Sequence, residues 1–165
     1  MNSLRYKSFV GMLLCLLLMG CSSIEDDHEV TERVNVGDRV PSFSVEMVKD
    51  GERIMFSTSH LTGETVIVFF NTTCPDCQRD LPKLNQYYLK HKADEGFQMV
   101  AISRAEDEDA VAVYWKDNGL QIPYSAQNDR RIYELFASSI IPRIYFVSAQ
   151  GIVTRVFIEK FDEID

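Results

Sequence analysis

The 165-residue sequence is poor in basic residues, in cysteine and in long apolar runs, and each shortage argues against one class of protein. Its 17 Lys and Arg residues are outnumbered by 25 Asp and Glu residues, which gives a formal net charge of -8. No stretch clusters basic residues with interleaved aromatic side chains, as contacts with nucleic-acid phosphates require. The composition therefore argues against a nucleic-acid partner.

The apolar run over residues 9–19 is too short for a membrane-spanning helix. Arg5 and Lys7 precede it, and Gly20 and Cys21 close it, which is the order of segments in a signal peptide. The close, L-L-M-G-C, resembles a bacterial lipobox, and the resemblance implies cleavage before Cys21 and lipidation of that residue. An ordinary signal peptide with an incidental cysteine is the alternative.

The polar, acidic segment from Ser22 to about Asn35 has little apolar periodicity, which is typical of a tether. No internal repeat or second linker follows, and at 45% hydrophobic residues the rest can bury one core. We predict a signal peptide over residues 1–20, a lipidated acidic tether over 21–35 and one domain over 36–165. The protein is then lipid-anchored in a bacterial cell envelope, most simply on the periplasmic side, with the outer membrane or cell surface left open.

Only two of the four cysteines are left as thiols after this processing. Cys15 leaves with the signal peptide and Cys21 carries lipid, so Cys74 and Cys77 remain. Export places them where disulfides form and persist. A structural zinc site needs about four ligands, so we predict no metal site.

Apolar periodicity predicts alternating strands and helices, and hence an α/β sheet covered on both faces. We expect a hairpin of residues 43–48 and 54–57 around Asp50-Gly51, and a central strand over 65–70. A helix begins near Pro75, and further strands span 97–103, 144–147 and 152–157. Two more helices are expected. The first is capped by Asp107 and buries Val111, Tyr114 and Trp115. The second is capped by Asn128 or Asp129 and buries Ile132, Leu135 and Phe136.

The spacing C-P-D-C places two thiols where the central strand meets this first helix. The unpaired N–H groups and dipole of a helix N-terminus favour an anion at Cys74, and a thiolate is the nucleophile of thiol–disulfide exchange. Cys77 lies one turn further and is more enclosed. Exchange needs one sulfur that attacks and a second that releases the mixed disulfide, so we assign these roles to Cys74 and Cys77.

These residues resemble the thioredoxin superfamily, and within it the membrane-tethered TlpA/ResA-like branch. The resemblance rests on V-G-D-R-V-P-S-F at the entry, C-P-D-C-Q-R-D-L-P-K-L, and Ile141-Pro142 before I-Y-F-V. It implies a thioredoxin-like fold with a central mixed sheet, helices on both faces and an N-terminal β-hairpin extension. The few residues after the last strand imply a truncated C-terminal helix. It also implies a reversible Cys74–Cys77 disulfide, a cis-Pro142 loop facing that disulfide, and no cofactor.

Further site residues follow from the same resemblance. Asp80 corresponds to an acid of this branch, which implies a proton acceptor near the pair; a solvated first-turn acid is the alternative. We expect substrate contacts from Pro75 and Asp76 beside the cysteines and from Ile141 and Arg143 around the proline. Arg143 is alternatively a surface strand residue.

The resemblance implies a thiol–disulfide oxidoreductase that reduces disulfides in exported proteins and draws electrons from a membrane thiol reductant. A peroxiredoxin-like thiol peroxidase is one alternative, but it requires Pro and Thr ahead of the reactive cysteine, where this chain has Ile67 and Asn71. A Cu(I)-binding or delivery module is another, because two thiols suit Cu(I). Copper-chaperone relatives use a wider Cys spacing and a distal His, and no His follows His91.

Overall fold

The computed structural model describes residues 32–162. The predicted signal peptide, the predicted lipidation site Cys21 and most of the predicted tether lie outside this range. None of the helices within it combines the length and apolar character needed to cross a membrane. The elements are β1 (Ser44–Lys49), β2 (Glu52–Ser57), β3 (Thr65–Phe70), α1 (Pro75–His91), β4 (Gln98–Ser103), α2 (Glu108–Asp117), β5 (Tyr124–Ser125), α3 (Arg131–Glu134), β6 (Arg143–Val147) and β7 (Val153–Ile158).

The strands form one seven-stranded mixed sheet in the order β2-β1-β5-β4-β3-β6-β7. The central strand β3 runs parallel to β4 and antiparallel to β6, and each of its six residues is buried. Phe69 packs on Tyr133 of α3, whereas Phe70 packs on Trp115 of α2. Because consecutive strand residues point to opposite faces, helices cover both faces of the sheet, as predicted.

The β1–β2 hairpin turns at Asp50 and Gly51, which both adopt positive φ (51° and 83°). Such a pair is typical of the two-residue turn that matches strand twist, so the predicted hairpin is confirmed. The two-residue strand β5 was not predicted. It joins β1 to β4, because Tyr124 pairs with both Val48 and Ala101.

Helices α1 and α2 begin where their sequence signals indicate. The cap predicted for α3 at Asn128 or Asp129 is wrong, because the N-cap residue is Arg130 and its side chain makes no capping hydrogen bond. Pro75 is the first residue of α1, and one face of this helix is buried through Cys77, Leu81, Leu84 and Tyr88. The side chain of Asp107 accepts a hydrogen bond from the backbone N–H of Ala110 and so caps α2. In α3 the predicted buried face is wrong in part. A helix of one turn buries Tyr133 and the following Phe136, leaving Ile132 half-buried and Leu135 exposed.

The folded domain begins at least as early as Glu32, so the predicted tether boundary at residue 35 is too late. The N–H of Arg33 donates to the carbonyl of Phe136 at 3.1 Å, and Glu32 forms a β-bridge with Ala137. Val34 is buried in the core. The acidic residues that gave this segment the composition of a tether therefore end in a packed strand-like stretch.

The chain after β7 is irregular over residues 159–162, with no helix in that described stretch. Phe161 nevertheless fills the face of α1, with its ring centroid 6.0 Å from Tyr87 and 5.4 Å from Phe157. One buried aromatic side chain thus packs against α1 and β7 after the last strand.

Candidate active site

The two cysteines differ in exposure because they occupy different positions on α1. Cys74 is the residue that caps the helix N-terminus, with extended backbone (φ -79°, ψ 120°), and its side chain is half-buried. Cys77 lies one turn inside and is completely buried. Both are free thiols in this structure.

Burial raises the pKa of Cys77 far above its ordinary value, and the neighbouring Cys74 thiol raises it further. A backbone hydrogen bond at Asn71 and the charge of Arg104 oppose that rise without cancelling it. Cys77 is therefore a protonated thiol at neutral pH. The half-buried Cys74 is the more accessible of the two thiols, and the assignment of attacking and resolving roles stays a prediction.

The loop before β6 faces Cys74. The Ile141–Pro142 peptide bond is cis, as the sequence resemblance implied. The Sγ of Cys74 points at the carbonyl oxygen of Ile141, 3.6 Å away. The structure therefore brings Cys74, Cys77, Ile141 and Pro142 together. Pro75 is exposed and Asp76 partly exposed on the first turn of α1, where Asp76 pairs with Arg79.

Arg143 lies elsewhere than predicted. Both the surface position and the substrate contact expected for it are wrong, because its side chain is fully buried. Its guanidinium donates to the carbonyls of Ser139 and Ile140 at 2.9–3.1 Å and forms an ion pair with Glu32. Arg143 therefore holds the backbone of the cis-proline loop through hydrogen bonds to the Ser139 and Ile140 carbonyls.

Asp80 is buried as well, so its interpretation as a solvated first-turn acid is wrong. Each carboxylate oxygen accepts two hydrogen bonds of 2.8–3.0 Å, supplied by Arg79, by Lys83 and by the backbone N–H of Phe161. Burial by itself raises the pKa of Asp80, but these hydrogen bonds outweigh burial and lower it below its ordinary value. Within residues 32–162, the Cys77 thiol is not among the donors to this carboxylate, and the proton-acceptor role stays a prediction.

Three residues near the pair were missed by the sequence analysis. The Glu106 carboxylate accepts from the backbone N–H of Thr72 at 2.9 Å and from the Thr72 hydroxyl, which fixes the loop leading to Cys74. The guanidinium of Arg104 lies over the Tyr133 ring at 5.2 Å. The Tyr133 hydroxyl donates to the carbonyls of Ser139 and Ile140. None of the three stands in a motif, so only the fold reveals them.

Comparisons with known proteins agree with this geometry. The model of the AhpC/TSA family matches residues 36–156. The thiol-disulfide oxidoreductase ResA of Bacillus subtilis (strain 168) is 30% identical over 149 residues, which cover 88% of this chain and 80% of that protein. A ResA of Bacillus cereus is 24% identical over 164 residues, 98% of this chain and 92% of that protein.

Solved structures show the same fold. A thiol:disulfide interchange protein of the thioredoxin family from Chlorobium tepidum TLS has a TM-score of 0.61 at 27% identity, covering 74% of this chain and 86% of that one. StoA from Bacillus subtilis has a TM-score of 0.60 at 20% identity, covering 73% and 90%. The chain therefore belongs to the AhpC/TSA family, as a thioredoxin-like thiol–disulfide oxidoreductase similar to ResA.

Proposed function

We propose that this protein is a lipid-anchored, extracytoplasmic oxidoreductase that reduces disulfides in exported proteins through the Cys74–Cys77 pair. The observation that carries the proposal is the asymmetry of the two thiols. Cys74 is accessible and faces the loop at Ile141, whereas Cys77 is buried behind it. An oxidoreductase of this type needs such an arrangement, because one sulfur meets the substrate and the other waits for the mixed disulfide.

The reaction proceeds in two exchanges. The Cys74 thiolate attacks one sulfur of the substrate disulfide, the substrate S–S bond breaks, and the second substrate sulfur leaves as a thiolate that takes up a proton. Cys77 then loses its proton and attacks the sulfur of Cys74. The mixed disulfide breaks, the Cys74–Cys77 disulfide forms, and two electrons and two protons have passed to the substrate.

Substrate contacts are assigned to the surface around Cys74. Pro142 has no N–H and therefore leaves the backbone at this point free of a competing donor. Ile141 offers its carbonyl beside the attacking sulfur, and Pro75 and Asp76 form the exposed opposite side. The Cys77 proton must leave a desolvated thiol, and Asp80 is the acid that the family resemblance assigns to this step.

Export and anchoring are supported by the sequence of residues 1–21, which resembles a lipoprotein signal. A lipid-anchored protein outside the cytoplasm needs a source of electrons at the membrane. A membrane thiol reductant that reduces the Cys74–Cys77 disulfide supplies it. No cofactor is required, because both exchanges use only cysteine sulfur.

The test is reduction of insulin disulfides by the full chain, purified in detergent, with dithiothreitol as the electron donor that reduces the Cys74–Cys77 disulfide again, combined with equilibration in glutathione buffers. We expect turnover that Cys74→Ser abolishes, and a Cys74–Cys77 potential below about -220 mV, on the reducing side of glutathione. A potential near about -120 mV, as for a strong oxidant, would contradict the reducing direction. Rapid consumption of hydrogen peroxide without insulin reduction would instead identify a thiol peroxidase.

A further inference from the structure

Arg143 has the largest fully buried side chain among residues 32–162, and it directly follows Pro142. Its Nε donates to the carbonyls of Ser139 (3.0 Å) and Ile140 (3.1 Å), and its Nη2 donates to Ser139 again (2.9 Å). A buried guanidinium is tolerated only when its N–H groups are paired and a counter-charge is near. Those pairings tie this arginine to the backbone of the loop over residues 139–142.

The loop needs such support. Ile140 adopts a positive φ of 67°, a conformation that is strained for a β-branched residue and persists only where surrounding contacts hold it. The Tyr133 hydroxyl donates to the Ile140 carbonyl at 2.9 Å and to the Ser139 carbonyl. The next carbonyl, that of Ile141, is the one that Cys74 faces. The contacts at residues 139 and 140 therefore determine where that carbonyl points.

The counter-charge for Arg143 comes from the other end of the chain. Glu32 pairs with its Nη1 across 111 residues of sequence. The segment carrying Glu32 is docked beside α3 by the bridge to Ala137 and by the hydrogen bond from Arg33 to Phe136. Burial alone lowers the pKa of Arg143, but the Glu32 carboxylate raises it, so the guanidinium remains charged.

We propose that Glu32 and Arg143 are positioning residues that together hold the loop 139–142 in its substrate-facing shape. This inference rests on the proposed function, because it assigns that loop to substrate binding. The ion pair fixes the guanidinium, the guanidinium fixes the Ser139 and Ile140 carbonyls, and these fix the surface opposite Cys74. Glu32 acts on docking of the substrate and leaves the chemistry of the Cys74 thiol unchanged.

The test compares the full-length wild type with Glu32→Gln and with Glu46→Gln. Glu46 is a matched control because its carboxylate pairs with Arg53 in an exposed ion pair on the hairpin. We expect Glu32→Gln to raise KM for insulin disulfides about tenfold, equivalent to about 1.4 kcal/mol of docking energy, with kcat nearly unchanged. Alkylation of Cys74 by iodoacetamide keeps its wild-type rate. Amide hydrogen exchange in the peptide containing residues 139–143 becomes faster, and Glu46→Gln behaves as wild type in all three.

Wild-type KM together with wild-type exchange in Glu32→Gln would overturn the proposal. So would a change in Cys74 alkylation that parallels the change in KM, since the pair would then act on the thiol. If circular dichroism shows that Glu32→Gln does not fold, Glu32→Asp replaces it and is judged by the same outcomes. That variant keeps the carboxylate, but its side chain is one methylene group shorter. If the wild type fails to reduce insulin, the proposed function fails, and hydrogen exchange alone decides whether the ion pair holds the loop.

Discussion

The thiol of Cys74 faces the carbonyl oxygen of Ile141 at 3.6 Å, although 67 positions separate the two residues in the sequence. The contact joins the N-terminus of α1 to the loop that precedes β6. Cys77 lies one turn further along the same helix and is completely buried.

Selective alkylation follows from this asymmetry. In the reduced protein at pH 7, iodoacetamide should modify Cys74 at least about tenfold faster than Cys77, because burial both shields Cys77 and raises its pKa. Mass spectrometry of peptides after timed quenching measures both rates. Equal rates would show that the two thiols are equally accessible in solution.

Replacement of Asp80 tests whether its buried ion pairs anchor the C-terminal segment. Asp80→Asn removes the charge that faces Arg79 and Lys83, and we expect a loss of about 1–3 kcal/mol in the free energy of unfolding at pH 7. The folded-state pKa of Asp80 is lowered, so its contribution is present above the unfolded pKa of about 3.9 and is lost as the pH falls through the folded value. Urea unfolding should therefore show a difference between variant and wild type that shrinks below about pH 4.

The same variant separates the structural role of Asp80 from the predicted proton-acceptor role. If Asp80 accepts the Cys77 proton, Asp80→Asn slows release of the mixed disulfide and shifts the pH dependence of exchange. Glu46→Gln is the control, because it removes a carboxylate from an exposed ion pair on the β1–β2 hairpin. Wild-type exchange kinetics in a destabilised Asp80→Asn protein would leave Asp80 as an anchor only.

Replacement of Phe161 by alanine tests how much the segment after β7 contributes to the core. Phe161→Ala removes a buried ring that packs on Tyr87 and Phe157, and we expect a loss of about 3 kcal/mol in the free energy of unfolding. Lys160→Ala, whose side chain is exposed next to it, should change stability little. Equal stability of the two variants in urea would show that the segment contributes nothing to the core.

Anchoring through Cys21 is tested by Cys21→Ser in the full chain. We expect a protein that lacks lipid and is either released in soluble form or left unprocessed, because serine has no thiol to receive the lipid that the lipobox resemblance implies. Fractionation of cells with mass analysis of the N-terminus gives the result. A variant that is still processed and lipidated would contradict the lipobox.

The sequence predicted best what depends on local pattern. The strand T-V-I-V-F-F was located residue for residue, because a strand covered on both faces is continuously apolar. The cap at Asp107 and the turn at Asp50-Gly51 were predicted because aspartate is a favoured N-cap residue and Asp-Gly is a favoured pair in two-residue turns. Strand β5 could not be found, since two residues show no period and are ordered only by their neighbours.

The site was predictable to the extent that its residues lie in motifs. Cys74, Cys77 and Pro142 were recognised, whereas the surroundings of Arg143 and Asp80 were wrong. Arginine and aspartate are mostly exposed in proteins, and here each is buried with a partner far away in sequence: the Glu32 carboxylate pairs with Arg143, and the Phe161 backbone N–H donates to Asp80, whose charge is balanced by its neighbours Arg79 and Lys83. Glu32 is 111 positions from Arg143, and Phe161 is 81 positions from Asp80. Such pairings arise from the fold and leave no local pattern.

The most direct test of the central claim is capture of the mixed disulfide. Reduced Cys77→Ser and Cys74→Ser proteins are each incubated with a disulfide-bonded substrate, quenched with acid and separated without reductant. We predict that Cys77→Ser accumulates a covalent adduct on Cys74, because the resolving thiol is missing, and that Cys74→Ser forms none. An adduct on Cys77 in the Cys74→Ser protein, or none in either, would contradict the assignment of Cys74 as the attacking thiol and Cys77 as the resolving one.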